Sequence, residues 1–240
     1  MATRVLPRSL SILLIAALVV SCGGGGGGDD ETSISGQIDL PPADQCANCR
    51  NNGVQVVIIG PLYNAPPAAP VASVQTDAAG NFDSGDLTAA LENYAGAPDT
   101  NGDGRRTLIA VATVNNESNA AIGGVLSVEE GDGSDKTFNV MTQVACVATV
   151  FLTAGSAGAG DPGCLVRPSC NDQPEGCIAT VDPDTIEQAQ IDRIEAAAEF
   201  IDGDVRLPGD VPSAACAVID CTAGGTRAAT EECVESAFDA

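Results

Sequence analysis

The sequence contains no histidine and no tryptophan, and Lys136 is its only lysine. Without histidine the chain cannot use Ser-His-Asp or Cys-His catalysis, bind zinc through histidine, or attach haem through a CxxCH motif. No G-x-x-x-x-G-K-[ST] phosphate loop occurs, and the glycine-rich stretch 155–163 lacks dinucleotide-binding spacing. The 33 acidic residues offer carboxylate pairs for acid–base chemistry, but the sequence brings no two of them together. These absences exclude many enzyme classes and make nucleotide chemistry an unfavoured function.

The N-terminal region has the organisation of an export signal. Arg4 and Arg8 precede the uncharged, mainly apolar run 9–21, which is shorter than the roughly 20 residues that cross a bilayer. Val19-Val20-Ser21-Cys22 resembles the lipobox, at which bacterial lipoproteins receive lipid on the cysteine and are cleaved before it. This resemblance implies a signal peptide over 1–21 and lipidation of Cys22, with acyl chains such as palmitate holding the chain in a membrane. An ordinary signal peptide is the alternative.

The residues that follow predict where and how the chain is displayed. Six consecutive glycines and three acids make 22–31 a predicted flexible tether. Residue 23 is glycine and not aspartate, so resemblance to Gram-negative lipoprotein sorting implies the outer membrane of the cell envelope. Loss of Arg4 and Arg8 with the signal reduces 10 basic residues to 8, against 33 acidic ones, for a net charge of −25. Such a surface repels nucleic acid. The predicted partners are the membrane, through the lipid, and an envelope protein or polysaccharide.

Residues 32–130 are predicted to form an antiparallel β-sandwich. Apolar residues alternate or form short β-branched runs, and Gly, Pro and Asn separate these runs. Gly80 is expected to supply a turn after which Phe82 returns to the core. The predicted strands are 32–40, 54–59, 71–76, 107–114 and 122–128.

Three segments of this region resemble the carboxypeptidase regulatory-like, transthyretin-like β-sandwich repeat. They are Ile34-Ser-Gly36-Gln-Ile38, Val54–Ile58 and Thr76-Asp77-Ala-Ala-Gly80-Asn81-Phe82, within residues 32–115. The resemblance implies a module without catalysis that braces other domains or binds surfaces, so the chain is not expected to be an enzyme. The insertion with Cys46 and Cys49 and the long segment 87–106 depart from the family pattern and are expected to lie on loops.

The second of these loops contains a candidate calcium site. Asp99-Thr-Asn101-Gly-Asp103-Gly104 matches D-x-[DN]-x-[DN]-G, the first half of an EF-hand-like loop. Ca²⁺ takes six to eight oxygen ligands, and Asp99, Asn101 and Asp103 would lie on one side of a tight turn. The twelfth position is Ala110, so a carboxylate from elsewhere would complete the shell, with a Kd of about 10⁻⁴–10⁻³ M. The alternative is an ordinary turn with solvated side chains. No cofactor other than Ca²⁺ is suggested.

Residues 131–240 are predicted to form a mainly helical domain. Apolar residues recur every three or four positions from Val140 to Leu152, which indicates a core helix that ends near Gly155. The absence of charge over 137–154 leaves a membrane-spanning helix as an alternative, which the polar residues in this stretch disfavour. The other predicted elements are helices over 183–201 and 230–238 and an undecided helix or strand over 214–219.

Most cysteines lie in this second part, which in an exported protein indicates disulfides that brace a small core. Nine cysteines remain besides Cys22, an odd number, and Cys146 in the apolar helix is predicted to be the free, buried one. The CxxC spacing of Cys46 and Cys49 also fits thiol–disulfide exchange, although such enzymes place the pair at a helix N-terminus. Spacings of five and six residues disfavour a cysteine-only zinc site. The predicted disulfide cysteines, with pairing undetermined, are Cys46, Cys49, Cys164, Cys170, Cys177, Cys216, Cys221 and Cys233.

The sequence thus predicts an α+β protein in which an N-terminal antiparallel, transthyretin-like β-sandwich is followed by a small disulfide-braced helical domain. Its expected role is structural, adhesive or ligand-binding at the cell envelope, without catalysis and with assistance from calcium if the loop binds it. The open alternative is an envelope enzyme that uses paired carboxylates or the CxxC thiol pair.

Overall fold

A computed structural model of the chain describes residues 31–60, 70–99, 102–154, 188–201, 205–222 and 229–239. The predicted signal peptide, Cys22, nearly all of the tether, Asn101, and the start of the helix predicted over 183–201 lie outside the described residues, as do Cys164, Cys170 and Cys177. The strands are β1 (Ser33–Ile38), β2 (Gln55–Ile59), β3 (Ala72–Gln75), β4 (Asn81–Asp83), β5 (Arg105–Asn115), β6 (Ala120–Glu129) and β7 (Gly133–Phe138). The helices are α1 (Thr88–Leu91), α2 (Val140–Ala154), α3 (Gln188–Ala198), α4 (Val211–Thr222) and α5 (Glu231–Phe238).

The strands form two sheets, and the mixed α+β class is confirmed. One sheet has the order β4-β1-β7 and the other has the order β3-β2-β5-β6. Every strand pair is antiparallel except β1 with β7, which run parallel from Ser33 beside Gly133 to Ile38 beside Phe138. The expectation of purely antiparallel strands missed β7, which lies beyond residue 130. The sequence of β7, GSDKTF, buries only Phe138 and therefore has no apolar alternation to reveal it.

The strands β5 and β6 are buried on both faces. Along β5, Leu108 and Ala110 belong to the core between the sheets, whereas Ile109 and Val111 belong to a second cluster with Cys146 of α2. A strand covered on both faces reads as a continuous apolar run, which is why both segments were recognisable in the sequence. Burial of each large apolar side chain contributes about 1.5–3 kcal/mol. The four-stranded sheet is therefore a middle layer between the other sheet and the helices.

Two glycines accommodate the ring of Phe138 between the sheets. A Cβ atom on Gly36 would lie 2.8 Å from Cε2 of Phe138, and one on Gly124 would lie 2.8 Å from Cε1 of the same ring. The ring of Phe82 packs against Phe138 with a centroid distance of 5.6 Å. Both distances of 2.8 Å are shorter than a carbon–carbon contact of about 3.5–4.0 Å, so a larger residue at Gly124 must displace the ring. At Gly36 it would also meet the backbone carbonyl oxygen of Lys136 on β7, which lies 2.2 Å from the Cβ position.

The C-terminal helices stack outward from the four-stranded sheet. α2 packs against β6, α4 packs against α2, and α5 packs against α4. The undecided segment 214–219 lies within α4, and its buried residues, such as Ala214 and Val218, recur at the helical spacing. Thr230 caps α5 by accepting a hydrogen bond from the backbone N–H of Cys233 at 3.4 Å. Within the described ranges, no helix has the length and apolar character needed to span a bilayer.

Candidate functional site

The predicted calcium loop comes directly before β5 and is closed by the carboxylate of Asp99. The two oxygens of this carboxylate accept hydrogen bonds from the backbone N–H groups of Gly102 (2.7 Å), Asp103 (3.1 Å) and Gly104 (3.0 Å). Gly102 and Gly104 have φ values of +74° and +78°, a region that favours glycine. Asp103 Oδ1 accepts a hydrogen bond from the backbone N–H of Arg105 at 2.8 Å. Both acidic side chains are thus held in one tight turn by bonds to the local backbone.

The ligand set Asp99, Asn101 and Asp103 stays a prediction. Asn101 lies outside the described residues. Among the residues that are described, no group of three or more Asp, Glu or Cys side chains is arranged to hold a metal ion. A carboxylate offers about four lone-pair positions, and N–H donors already occupy three of those of Asp99. Calcium at this loop would therefore depend mainly on Asp103, on backbone carbonyls and on water.

Further carboxylates surround the loop at one end of the two sheets. The backbone N–H of Glu130, in the turn between β6 and β7, donates to the carbonyl of Gly104 at 2.8 Å. Arg105 pairs with Glu129 at 2.8 Å, with both side chains about half exposed, and Arg106 donates to the carbonyl of Ala97 at 2.7 Å. We term this region the acidic end, and its carboxylates belong to Asp86, Glu92, Asp99, Asp103, Glu129, Glu130 and Asp132.

The turn that carries the family resemblance is ordered by Asp77. Its carboxylate accepts hydrogen bonds from the Asn81 side chain (3.0 Å), the Asn81 backbone N–H (2.9 Å) and the Ala79 backbone N–H (2.8 Å). These bonds hold the pKa of Asp77 below its ordinary value, and the hydrogen bond from the Asn81 side chain has the largest effect. Gly80 has a φ of +85°, and Phe82 after it is buried. The turn expected at Gly80 and the return of Phe82 to the core are both present.

The only lysine joins α3 to both sheets. Lys136 lies on β7, and its Nζ donates to the carbonyl of Val125 on β6 at 3.0 Å and to the carboxylate of Glu195 on α3. The side chains of Lys136 and Glu195 are only 16% and 22% exposed. Burial raises the pKa of Glu195 above its ordinary value, and the charge and hydrogen bond of Lys136 oppose that rise. This partly buried ion pair was not anticipated from the sequence.

Lys136 and α3 together cover an edge of the four-stranded sheet. Among the strands that the structure describes, β6 pairs only with β5, so no described strand lies beside its outer backbone groups. Lys136 donates to the carbonyl of Val125 there, and the Gln188 side chain of α3 accepts from the N–H of Ser127 at 3.2 Å. Unpaired strand edges recruit other strands, and a lysine or a covering helix prevents this. In the sequence, the only sign of this edge protection is a single lysine within the short polar segment GSDKTF.

The CxxC pair forms a disulfide between Cys46 and Cys49. Cys46 is buried, and the loop around the pair is tied to the opposite end of β5: Asn115 Nδ2 donates to the Ala47 carbonyl at 2.7 Å, and the N–H of Arg50 donates to the Val114 carbonyl at 3.0 Å. None of the helices described begins at this pair. The loop therefore lacks the helix N-terminus that lowers a thiol pKa in exchange enzymes.

The expected disulfide bonding is confirmed, but the prediction for Cys146 was wrong. Cys221 in α4 and Cys233 in α5 form a second bridge, with Cα atoms 5.8 Å apart. Cys146 and Cys216 each form a disulfide bond as well. Cys146 was assigned as a free thiol because it lies in an apolar helix, but a half-cystine is as apolar as a thiol. Burial therefore does not distinguish the two states.

Comparison with known proteins adds no family. No protein-family model matches the chain, and no curated protein matches it. Among solved structures, a 9R-lipoxygenase from Cyanothece PCC8801 aligns with 81% of this chain at 13% sequence identity and a TM-score of 0.26. The chain spans 25% of that protein's length. A likeness of this size supports no argument about fold or chemistry.

The expectation that the chain is not an enzyme is withdrawn. The protein found is an enzyme by its name, and the likeness is too distant to show enzyme function in either direction. The expectation had rested on the resemblance of short segments to a family of bracing modules and on the absence of histidine. Neither observation excludes acid–base catalysis by the 33 carboxylates, so catalysis is no longer excluded.

Proposed function

We propose that the protein is a lipid-anchored cell-envelope protein with a structural, adhesive or ligand-binding role that calcium assists. The observation that carries this proposal is Val19-Val20-Ser21-Cys22 at the end of an apolar run behind Arg4 and Arg8. Disulfide bonds support an oxidising location such as the envelope. A net charge of −25 after signal removal, from the 10 basic and 33 acidic residues less Arg4 and Arg8, disfavours nucleic acid as the partner.

The proposal assigns the strand-rich part to the transthyretin-like, carboxypeptidase regulatory-like sandwich. Two facing sheets and the Asp77 turn that delivers Phe82 to the core support this assignment. The parallel pairing of β1 with β7 stands outside the antiparallel pattern that the resemblance implies. In this assignment the sandwich presents its loops, including 99–104 and the disulfide loop 46–49, to partners.

The anchor is tested by expression in a Gram-negative host with a fatty-acid label. Cys22→Ser is expected to lose the label and leave the detergent-rich phase, because the thiol that carries the lipid is absent. Ser21→Ala is the matched control, since it keeps a small residue before the cleavage point and is expected to retain the label. An unlabelled wild-type chain would contradict the proposal, and so would equal labelling of both variants.

The outer-membrane location has its own test at residue 23. Gly23→Asp introduces the retention residue that the glycine lacks, so the variant is expected to shift from the outer-membrane to the inner-membrane fraction. Gly23→Ser is the control that should leave the distribution unchanged. Wild-type protein in the inner-membrane fraction would contradict the location without affecting the anchor.

Calcium binding is tested by isothermal titration calorimetry on residues 29–240. Saturable heat with a Kd of about 10⁻⁴–10⁻³ M is expected, since two acids and backbone oxygens make a weak site. Asp103→Ala should abolish the heat, because it removes the carboxylate on which calcium at this loop mainly depends. Asp77→Ala is the control, because Asp77 closes a turn of similar geometry outside the motif. Absence of heat at millimolar calcium would reduce the loop to a turn.

A further inference from the structure

The chain enters the folded part at a rigidly held point within the acidic end. Thr32 is buried, its N–H donates to Thr88 Oγ1 at 3.0 Å, and its own Oγ1 accepts from the N–H of Gly131 at 2.9 Å. Its carbonyl accepts from the N–H of Leu87 at 2.7 Å. The start of β1 is thus fastened between the beginning of α1 and the turn that joins β6 to β7. Any anchor upstream of Thr32 must pull on this end.

The same end carries the charge that an anionic membrane repels. Its seven carboxylates face only two arginines, Arg105 and Arg106, which leaves a formal charge of −5. Asp86, Glu92, Asp103, Glu129, Glu130 and Asp132 are exposed. Three more acids, Asp29, Asp30 and Glu31, lie in the sequence immediately before Thr32. Charge of this sign is repelled by an anionic lipid surface within about one Debye length, which is about 8 Å at physiological salt.

The length of the strands separates the charges of the acidic end from those of the far end. Ten residue steps along β5 amount to about 33 Å, which is four Debye lengths. The far end, with the turn between β5 and β6 and the Cys46–Cys49 loop, also carries exposed acids, among them Asp39, Asp44 and Glu117. At physiological salt their interaction with the bilayer is screened. At low salt, where the Debye length is about 30 Å, they still act more weakly on the bilayer than the acids of the near end, because they lie further from it.

We infer that the acidic end faces the membrane and that its charge holds the folded part away from an anionic bilayer. This inference rests on the proposed anchor at Cys22. The ten residue steps from Cys22 to Thr32 reach at most about 33–36 Å. A glycine-rich linker of that length has a root-mean-square extension of about 16–19 Å, which exceeds the Debye length at physiological salt. The tether therefore has the reach that repulsion requires.

The test is neutron reflectometry of the lipidated mature chain on supported bilayers. On phosphatidylcholine mixed with phosphatidylglycerol, a change from ~150 mM to ~10 mM salt lengthens the Debye length from about 8 Å to about 30 Å. The gap between bilayer and protein is expected to widen on the order of 10 Å, toward full extension of the tether. On phosphatidylcholine alone the gap is expected to stay unchanged.

Two charge variants make the result specific to the acidic end. Glu92→Gln, Glu130→Gln and Asp132→Asn together should roughly halve the widening, because they remove three of the five net charges and leave the tether acids. The matched control removes three acids at the far end, Asp39→Asn, Asp44→Asn and Glu117→Gln, and should reduce the widening much less, because these acids lie about 33 Å further from the bilayer. Equal effects of the two triple variants, or a gap that ignores salt and lipid charge, would overturn the inference. No protein layer on either bilayer would overturn the anchor itself, and the orientation with it.

Discussion

Replacement of Lys136 by methionine removes the cation that links α3 to the two sheets. Methionine keeps the length and apolar character of the lysine stem, so the packing around β7 is disturbed little. It leaves the Glu195 carboxylate without its partner at 22% exposure and the carbonyl of Val125 without its donor. Removal of one partner from a buried pair costs about 3–5 kcal/mol, and partial exposure places this pair at the lower limit. We therefore expect the free energy of unfolding to fall by about 3 kcal/mol at pH 7.

The pH dependence of the free energy of unfolding tests whether the ionised Glu195 carboxylate causes this loss. Burial raises the pKa of Glu195 in the folded state above its ordinary value of 4.5, so ionisation of this group disfavours the fold. Between the unfolded and folded pKa values the folded state binds more protons, and the free energy of unfolding falls as the pH rises through that window. Methionine removes the opposing effect of Lys136, so the folded pKa rises further. When the pH falls through that pKa, the carboxyl becomes neutral and the cost shrinks to about 1 kcal/mol of lost hydrogen bonding.

The assay is urea unfolding followed by far-ultraviolet circular dichroism, because the chain has no tryptophan for fluorescence. Unfolding of wild type and Lys136→Met is compared from pH 7 down to pH 4 in the oxidised protein. The double variant Lys136→Met, Glu195→Gln is the control, since a neutral amide needs no cation, and it should recover most of the loss at pH 7. A loss that is independent of pH, or that persists in the double variant, would refute the ion-pair explanation and point to packing alone.

Two further changes test the core and the bridges. Gly124→Ala places a Cβ atom 2.8 Å from the ring of Phe138 and is expected to lower the free energy of unfolding by about 1–3 kcal/mol. Gly209→Ala is the control, because nothing lies within 4 Å of its Cβ position, and it should be nearly neutral in the same urea assay. Equal effects of the two variants would show that the ring of Phe138 moves aside at no cost. Loss of the Cys221–Cys233 bridge by double alanine substitution should cost about 3 kcal/mol, because its sequence separation is 12, against about 2 kcal/mol for the Cys46–Cys49 bridge with a separation of 3. Thermal unfolding would contradict the loop-length argument if the short bridge proved to matter more.

Much of the local structure could be predicted because it depends on neighbouring residues. The strands β2, β5 and β6 were predicted from β-branched and apolar runs, and the structure extends β5 and β6 by about two residues at their ends. The helix predicted over 230–238 is α5, which begins after its capping residue Thr230. The turn at Asp77 is held by bonds that reach no further than Asn81. Each of these features is decided within a few positions of the chain.

The candidate calcium loop could be predicted in part for the same reason. The spacing of Asp99, Gly102 and Gly104 implied a tight turn, and the backbone bonds to Asp99 form it. Whether a metal shell is completed depends on donors from other segments, which local spacing does not specify. The loop therefore has a defined shape, and its ligand set remains a prediction.

The sequence by itself determined the N-terminal lipobox-like motif, the acidity of the chain, and the kinds of local element, since periodicity, charge and motif spacing are properties of neighbouring residues. Only the tertiary structure decided that β7 lies parallel to β1, that Lys136 meets Glu195 across 59 positions, and that Thr32 begins the fold within the acidic end. The disulfide state of Cys146 was decided in the same way. These outcomes depend on which distant segments share a layer, and the free energy that selects them comes from burial and pairing between residues that no local pattern connects.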